Sequence, residues 1–119
     1  MDFVFLSQNV DQTRPLLYLW EIIDLDTGKL LHSYVGKAKG GSSRPLKHYR
    51  RNVANLLANK PYRKGSPDGF RASHRALAQA VTTGHRIVLT LLYNVDIEKI
   101  NEAESREILK RQPDLNAMP

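Results

Sequence analysis

The densest apolar run in the chain is LLYLWEIID, residues 16–24, with an aromatic pair among leucine and isoleucine. It gives way to DLDTG at 24–28, where aspartates and a glycine supply turn chemistry, and KLLHSYVG at 29–36 resumes the run. Two apolar runs around a short polar turn predict an antiparallel hairpin. GKAKGGSS at 36–43 reads as a loop. Beyond it Leu46, Tyr49, Val53, Leu56 and Leu57 recur at helical spacing. Ser43 stands where a cap belongs, and Pro45 suits a first turn. NKPYRKGSPDG at 59–69 holds two prolines, two glycines and no period, so it predicts a mobile loop. A second helix is expected over 70–83, with Phe70, Leu77 and Val81 inward and Gly84 as its stop. HRIVLTLLYNV at 85–95 predicts a third strand, and residues 96–111 a last helix closed by Pro113. The pattern defines an α+β domain of order β-β-α-α-β-α, a small, mostly antiparallel three-stranded sheet flanked by helices. An N-terminal arm covers 1–14.

Length and composition narrow this little. A chain of 119 residues, 41% hydrophobic and 25% charged, is expected to form one domain over 1–119. The absence of cysteine excludes disulfides and thiolate metal sites. No apolar run reaches the length of a membrane span. The start MDFVFLSQNVDQTR has neither a basic head nor a small-residue cleavage site, so no leader is expected and the setting reads as cytoplasmic.

Charge changes the picture more. The net is +6, but residues 37–75 carry eleven of the 18 Lys and Arg against a single acid, Asp68, a local charge of +10. The rest of the chain is left at −4, with seven bases and eleven acids. Either this is a solvated basic face, or it attracts a polyanion and releases its counterions. The candidate nucleic-acid-binding residues are Lys39, Lys47, Arg50, Arg51, Lys60, Arg63, Lys64, Arg71 and Arg75.

Several side chains suggest chemistry. Arg44 and His48 are four apart on the first helix and so share a face, opposite the Leu46/Val53 stripe. Tyr34 shares a strand face with His32 and Leu30, and Lys37 follows Gly36 at the loop. In the last helix Ile97, Ile100, Glu104 and Ile108 form one stripe, which aims Glu104 at apolar surroundings, whereas Glu98, Glu102 and Glu107 fall to the side or outside. A carboxylate so placed costs several kcal/mol unless paired or bound to metal. It is either a structural salt bridge with an arginine or a functional group at the floor of a cleft. His74 lies on the second helix's inner stripe and reads as a packing residue. GKAKGGS is not a phosphate-binding loop, because Ala38 stands where Ser or Thr would follow the lysine. His32, His48, His74 and His85 show no paired ligand spacing for zinc.

Together these residues resemble the GIY-YIG nuclease superfamily. Its second signature corresponds to Tyr34-Val35-Gly36, and YVGKAK is similar to the form found in the repair nucleases of that family. The family's arginine, eight residues past the glycine, is Arg44, and the His or Tyr four later is His48. Its metal-binding glutamate, followed by Pro nine and Asn twelve residues on, corresponds to Glu104, Pro113 and Asn116 in ESREILKRQPDLN. The resemblance spans about residues 16–116. The first signature is reduced to LLYLWEI. Counting through the hairpin puts Trp20 at its tyrosine, while Tyr18 shares that strand face and could reach the site.

The resemblance implies hydrolysis of a phosphodiester with one divalent metal, Mg²⁺ or Mn²⁺, held by Glu104. Tyr34 would be the base for the attacking water. A phenol, with pKa near ~10, is a poor base at neutral pH unless a cation lies beside it, and Lys37 is expected to serve. Arg44 would stabilise the charged phosphate. His48 would orient Tyr34 or assist proton transfer, and Asn116 would pin Glu104 or the phosphate. DNA, duplex or branched, is the expected substrate, cut by a restriction-type homodimer, a structure-specific repair nuclease or a recruited subunit. Loop 59–75 is the expected place of selection. The alternatives are an inactive nucleic-acid-binding module that keeps the fold, and an RNA-binding basic domain.

Overall fold

The computed structural model describes residues 1–118. The chain is an α+β fold, a four-stranded mixed sheet with three α-helices in the order β-β-β-α-α-β-α. The strands are β1 (Val4–Ser7), β2 (Leu16–Ile23), β3 (Leu30–Ala38) and β4 (Arg86–Asn94), lying side by side as β1-β4-β2-β3. The hairpin of β2 and β3 forms as the sequence predicts, with β2 antiparallel to both neighbours. Asp24 closes its turn by accepting the amides of Asp26 and Thr27 through Oδ1, and Gly28 takes a φ of 73°.

The expected three-stranded sheet is corrected to four. The arm contains β1, which pairs in parallel with β4 from Val4↔Val88 to Ser7↔Leu91. All four β1 residues stay exposed, so the strand carries no inside-outside alternation from which a sequence could reveal it.

Helices cover both faces of the sheet. On one face Leu16, Tyr18, Trp20 and Ile22 pack with Tyr49, Val53, Leu77 and Ala80 of α1 (Tyr49–Leu57) and α2 (Ala72–Thr83). On the other, Leu17 meets Ile100 and Ala103 of α3 (Ile100–Arg111). The first helix begins as a π-helical turn, Arg44–His48, with Pro45 at its start; Ser43 makes no side-chain cap there. A 3₁₀ turn, Ile97–Lys99, precedes α3. Three expected inward positions turn outward: Leu57 is 46% exposed, Val81 37% and Ile97 54%. Glu107, expected on the side or outer face, is instead buried. It accepts from Arg111 Nε at 2.7 Å and Tyr93 Oη at 2.9 Å.

Segment 59–69 is organised by its aromatic flanks rather than left loose. Tyr62 packs edge-on against Phe70 at 5.4 Å, and Phe70 and Tyr62 both lie against His74. His74 is buried, as a packing residue should be, and also holds polar contacts. Its Nδ1 accepts the Arg71 amide at 3.1 Å, and its Nε2 lies 3.4 Å from Asn52 Nδ2.

Burial, with the charges of Arg71, Arg44 and Arg75, pushes His74 down to about 4 from 6.5. Between those values the unfolded chain binds a proton that the folded one refuses, so stability falls as pH drops from about 6.5 toward about 4. The urea midpoint should therefore decline over that window and be level above it. In His74→Gln this histidine's share of the slope should vanish; an unchanged slope would mean that other groups cause it.

Candidate active site

One cleft of about 570 Å³ opens at the β3 end of the sheet, and its wall includes Tyr18, Tyr34, Lys37, Arg44, His48 and Glu104. These come from two strands, the π-helical turn and α3. Lys39, Ser43 and Arg71 complete the polar lining. The turn out of β3 passes through Gly41 at φ 96°, where Gln12 O crowds the position a Cβ would take, so both the backbone and the space call for glycine.

Position along β3 decides what each residue meets. Tyr34 and Gly36 pair across with Trp20 and Tyr18, and share the face of α1 and α2. Lys37 pairs with Leu17 and therefore points to the opposite face, toward α3. There its Nζ donates to Asn101 Oδ1 at 2.7 Å and lies 3.5 Å from Glu104 Oε1. Lys37 is thus a strand residue rather than the loop residue expected, and it addresses Glu104 rather than Tyr34. The cation beside Tyr34 is Arg71. Burial would lower the Arg71 guanidinium, but the Tyr34, Tyr49 and Tyr18 phenols outweigh it and leave its pKa raised. Sequence reasoning gave Arg71 only a role on the basic surface. It precedes α2 as an N-cap, and no periodic signal marks such a position.

The phenols divide by environment. Tyr18 is buried, and burial together with Tyr49 raises it well above its ordinary value. Burial first, and the charge of Tyr34 second, push Tyr49 up to about 12. Tyr18 Oη donates to Tyr49 Oη at 3.4 Å, within reach of Ser73 beyond. Both keep their protons at neutral pH. Trp20 does not reach the cleft. Its ring packs between Phe3 at 5.1 Å and Tyr49 at 5.5 Å, and its Nε1 is buried without a partner.

Glu104 is half-buried, its side chain 18% exposed, with Lys37 as its ionic partner. An ammonium at 3.5 Å leaves most of the carboxylate's lone pairs free, in contrast to Glu107 one turn on. Among the described residues no three His, Cys, Asp or Glu gather to hold a metal. A single carboxylate facing a cleft fits a hard divalent ion that keeps several waters and shares a substrate phosphate, and does not fit an all-protein cage.

Asn116 is placed elsewhere than expected. It touches neither Glu104 nor the cleft, but brackets Val35 at the edge of β3. Its Oδ1 accepts the Val35 amide and its Nδ2 donates to the Val35 carbonyl, both at 2.8 Å. Asp114, in the same 3₁₀ turn (Asp114–Ala117), accepts the Ser33 amide at 2.8 Å and contacts the His32 ring at 2.6 Å. Burial would raise the Asp114 carboxyl, but His32 and Ser33 outweigh it and hold it below its ordinary value. The C-terminal turn thus acts as a substitute strand that fixes β3 on both sides of Tyr34. Asn116→Ala should cost about 1–2 kcal/mol by leaving a backbone pair to solvent. It should also lower the melting temperature and speed exchange of the Val35 amide. An unaltered exchange rate would show that the bracket does not hold the strand.

The remaining basic candidates scatter. Arg50 stacks on Phe3 at 4.7 Å, and Arg75 lies over Phe70 at 6.0 Å. Lys47, Lys60 and Lys64 are exposed. Arg51 and Arg63 line a second, smaller cleft beside the first.

No protein-family model, curated protein or solved structure matches this chain.

Proposed function

We propose that the protein is a metal-dependent endonuclease of the GIY-YIG type that hydrolyses phosphodiesters of DNA inside the cell. The observation that carries this reading is the meeting, in one cleft, of two phenols, two guanidiniums, two ammoniums and a lone carboxylate drawn from distant parts of the chain. A phosphodiester under attack gathers negative charge on its oxygens, and preplaced cations stabilise it without reorganisation. Arg44 offers a fork of N–H donors matched to those oxygens.

Tyr34, as phenolate, takes a proton from the water whose oxygen attacks phosphorus. Arg71, not Lys37, is the cation beside Tyr34. The bond from phosphorus to the leaving oxygen breaks as the new one forms. His48 stands at the open rim, where it can pass the proton to solvent. Glu104 would hold Mg²⁺ or Mn²⁺, and the ion, when bound, would polarise the phosphate and offset charge on the leaving oxygen. Lys37, tethered by Asn101, holds the Glu104 carboxylate in place.

A second reading has its own observation. Glu104 and Lys37 also make an ordinary ion pair, which an inactive nucleic-acid-binding module would retain. Supercoiled plasmid and branched DNA, incubated with the protein in Mg²⁺, in Mn²⁺ and in EDTA, separate the two. Metal-dependent nicking supports the nuclease. Retardation without nicking on every substrate supports the module.

A further inference from the structure

The second cleft shares Arg44, His48 and Arg71 with the first, so the two adjoin across a common wall. Its own wall adds Arg51 from α1 and Arg63 from the segment before α2, over Tyr62 and His74. Four guanidiniums line it and no acid does, and none of the four takes part in an ion pair among the described residues. Arginines brought together without a counter-charge repel one another, and an anion bound among them relieves that cost. The cleft measures about 80 Å³, the space of a few waters, which suits a phosphate group and not a nucleobase.

The geometry is prepared rather than loose. The Arg63 guanidinium lies over the Tyr62 ring at 5.0 Å, and a stacked guanidinium keeps its N–H edge free for phosphate oxygens. Tyr62 is fixed in turn by Phe70 at 5.4 Å and by its amide, which donates to Pro67 O at 2.9 Å. Beneath them burial first, and the charges of Arg71, Arg44 and Arg75 second, push His74 down to about 4, so it stays neutral and adds no repulsion.

We propose that this second cleft is a phosphate subsite that takes the phosphodiester next to the scissile one on the same strand. Arg51 and Arg63 grip it, while Arg44, His48 and Arg71 span both phosphates. This inference rests on the reading of the first cleft as the scissile-phosphate site. It makes the protein a reader of strand backbone rather than of base sequence at this point.

The test uses the whole chain in EDTA, so nothing is cut, and the trinucleotide dTpTpT, which has two phosphodiesters. It is compared by NMR titration with the same trinucleotide carrying one neutral methylphosphonate linkage. The wild-type protein should bind the two-phosphate form about tenfold more tightly, as charge-assisted hydrogen bonds allow. Arg51→Ala/Arg63→Ala should reduce that preference to less than twofold. Lys60→Ala/Lys64→Ala, on the exposed side of the same segment, should weaken both ligands alike and keep the preference.

A preference that survives in the arginine variant, or is lost equally in the lysine variant, would overturn the subsite in favour of a diffuse basic field. So would its absence in wild type. Circular dichroism confirms that each variant is folded, both arginines being exposed. Because binding is read without metal, a protein that never nicks DNA would count against the nuclease and leave this result standing. A nicking protein without the preference would count against the subsite alone.

Discussion

Glu104→Gln is expected to yield a folded protein that binds DNA as tightly as wild type and nicks it on the order of 10³-fold more slowly, the scale of losing one preplaced electrostatic group. The size follows from the difference between the two acids that face inward on α3. Glu107 is only 7% exposed and meets Arg111 and Tyr93 at hydrogen-bond distance. Burial would raise its pKa, but those partners reverse that and lower it. That acid is spent on structure. Glu104 keeps one ammonium at 3.5 Å and opens on the cleft. Glutamine preserves its shape and removes its charge, and Lys37 retains Asn101 as an acceptor at 2.7 Å. The fold should therefore tolerate the change, with a melting temperature within a few degrees of wild type. If the carboxylate serves only the ion pair, the result inverts: the melting temperature drops and nicking persists. Glu107→Gln is the matched control, expected to lose stability first and activity only through it.

The elements legible in the sequence are those with a buried and an exposed side. β2 and β4 are runs of leucine, isoleucine and valine that sit inside the sheet, and Gly28 and Gly84 mark their turns with positive φ. Strand β1 was not legible, because VFLS projects no buried face and gains its place only through parallel pairing with a distant strand. The last helix shows the limit of a stripe. Ile100 is buried, but Ile97 lies in the 3₁₀ turn ahead of α3 and leaves the register, while Glu107 takes an inner place that spacing had given to Ile108.

The candidate site was legible where two residues share an element, as Arg44 and His48 do. It was also legible where a carboxylate interrupts an apolar face, as Glu104 does. Contacts made across the fold were not. Arg71 beside Tyr34, Lys37 turned to α3 and Asn116 bracketing Val35 depend on which side of β3 each group meets, and that is fixed only when the sheet forms.

Gly36→Ala is expected to have the largest effect on stability of any single methyl group added in β3. Gly36 has no positive φ, so backbone freedom is not the reason it is glycine. Space is. Tyr18 lies directly across from it in the β2–β3 ladder, and the Tyr18 ring folds over Gly36, so that an added Cβ would overlap ring atoms Cζ and Oη and come within 2.6 Å of Cε2. The ring cannot retreat, since Tyr49 closes on its other side, edge-on at 5.9 Å with the two hydroxyls 3.4 Å apart. Overpacking of this kind costs about 1–3 kcal/mol, a loss of several degrees in melting temperature.

The strain also falls on the site, because β3 would be displaced between Tyr34 and Lys37, so nicking should decline beyond what lost stability explains at a temperature where the variant is fully folded. Tyr18→Leu removes the ring and leaves a cavity with its own cost. Combined with Gly36→Ala, the methyl then occupies part of that cavity, and the double variant should be more stable than the two separate losses add up to, by at least about 0.5 kcal/mol. Simple additivity would mean that the ring and the glycine are not coupled. The glycine of the YVG stretch would then need another explanation than the tyrosine that lies across it.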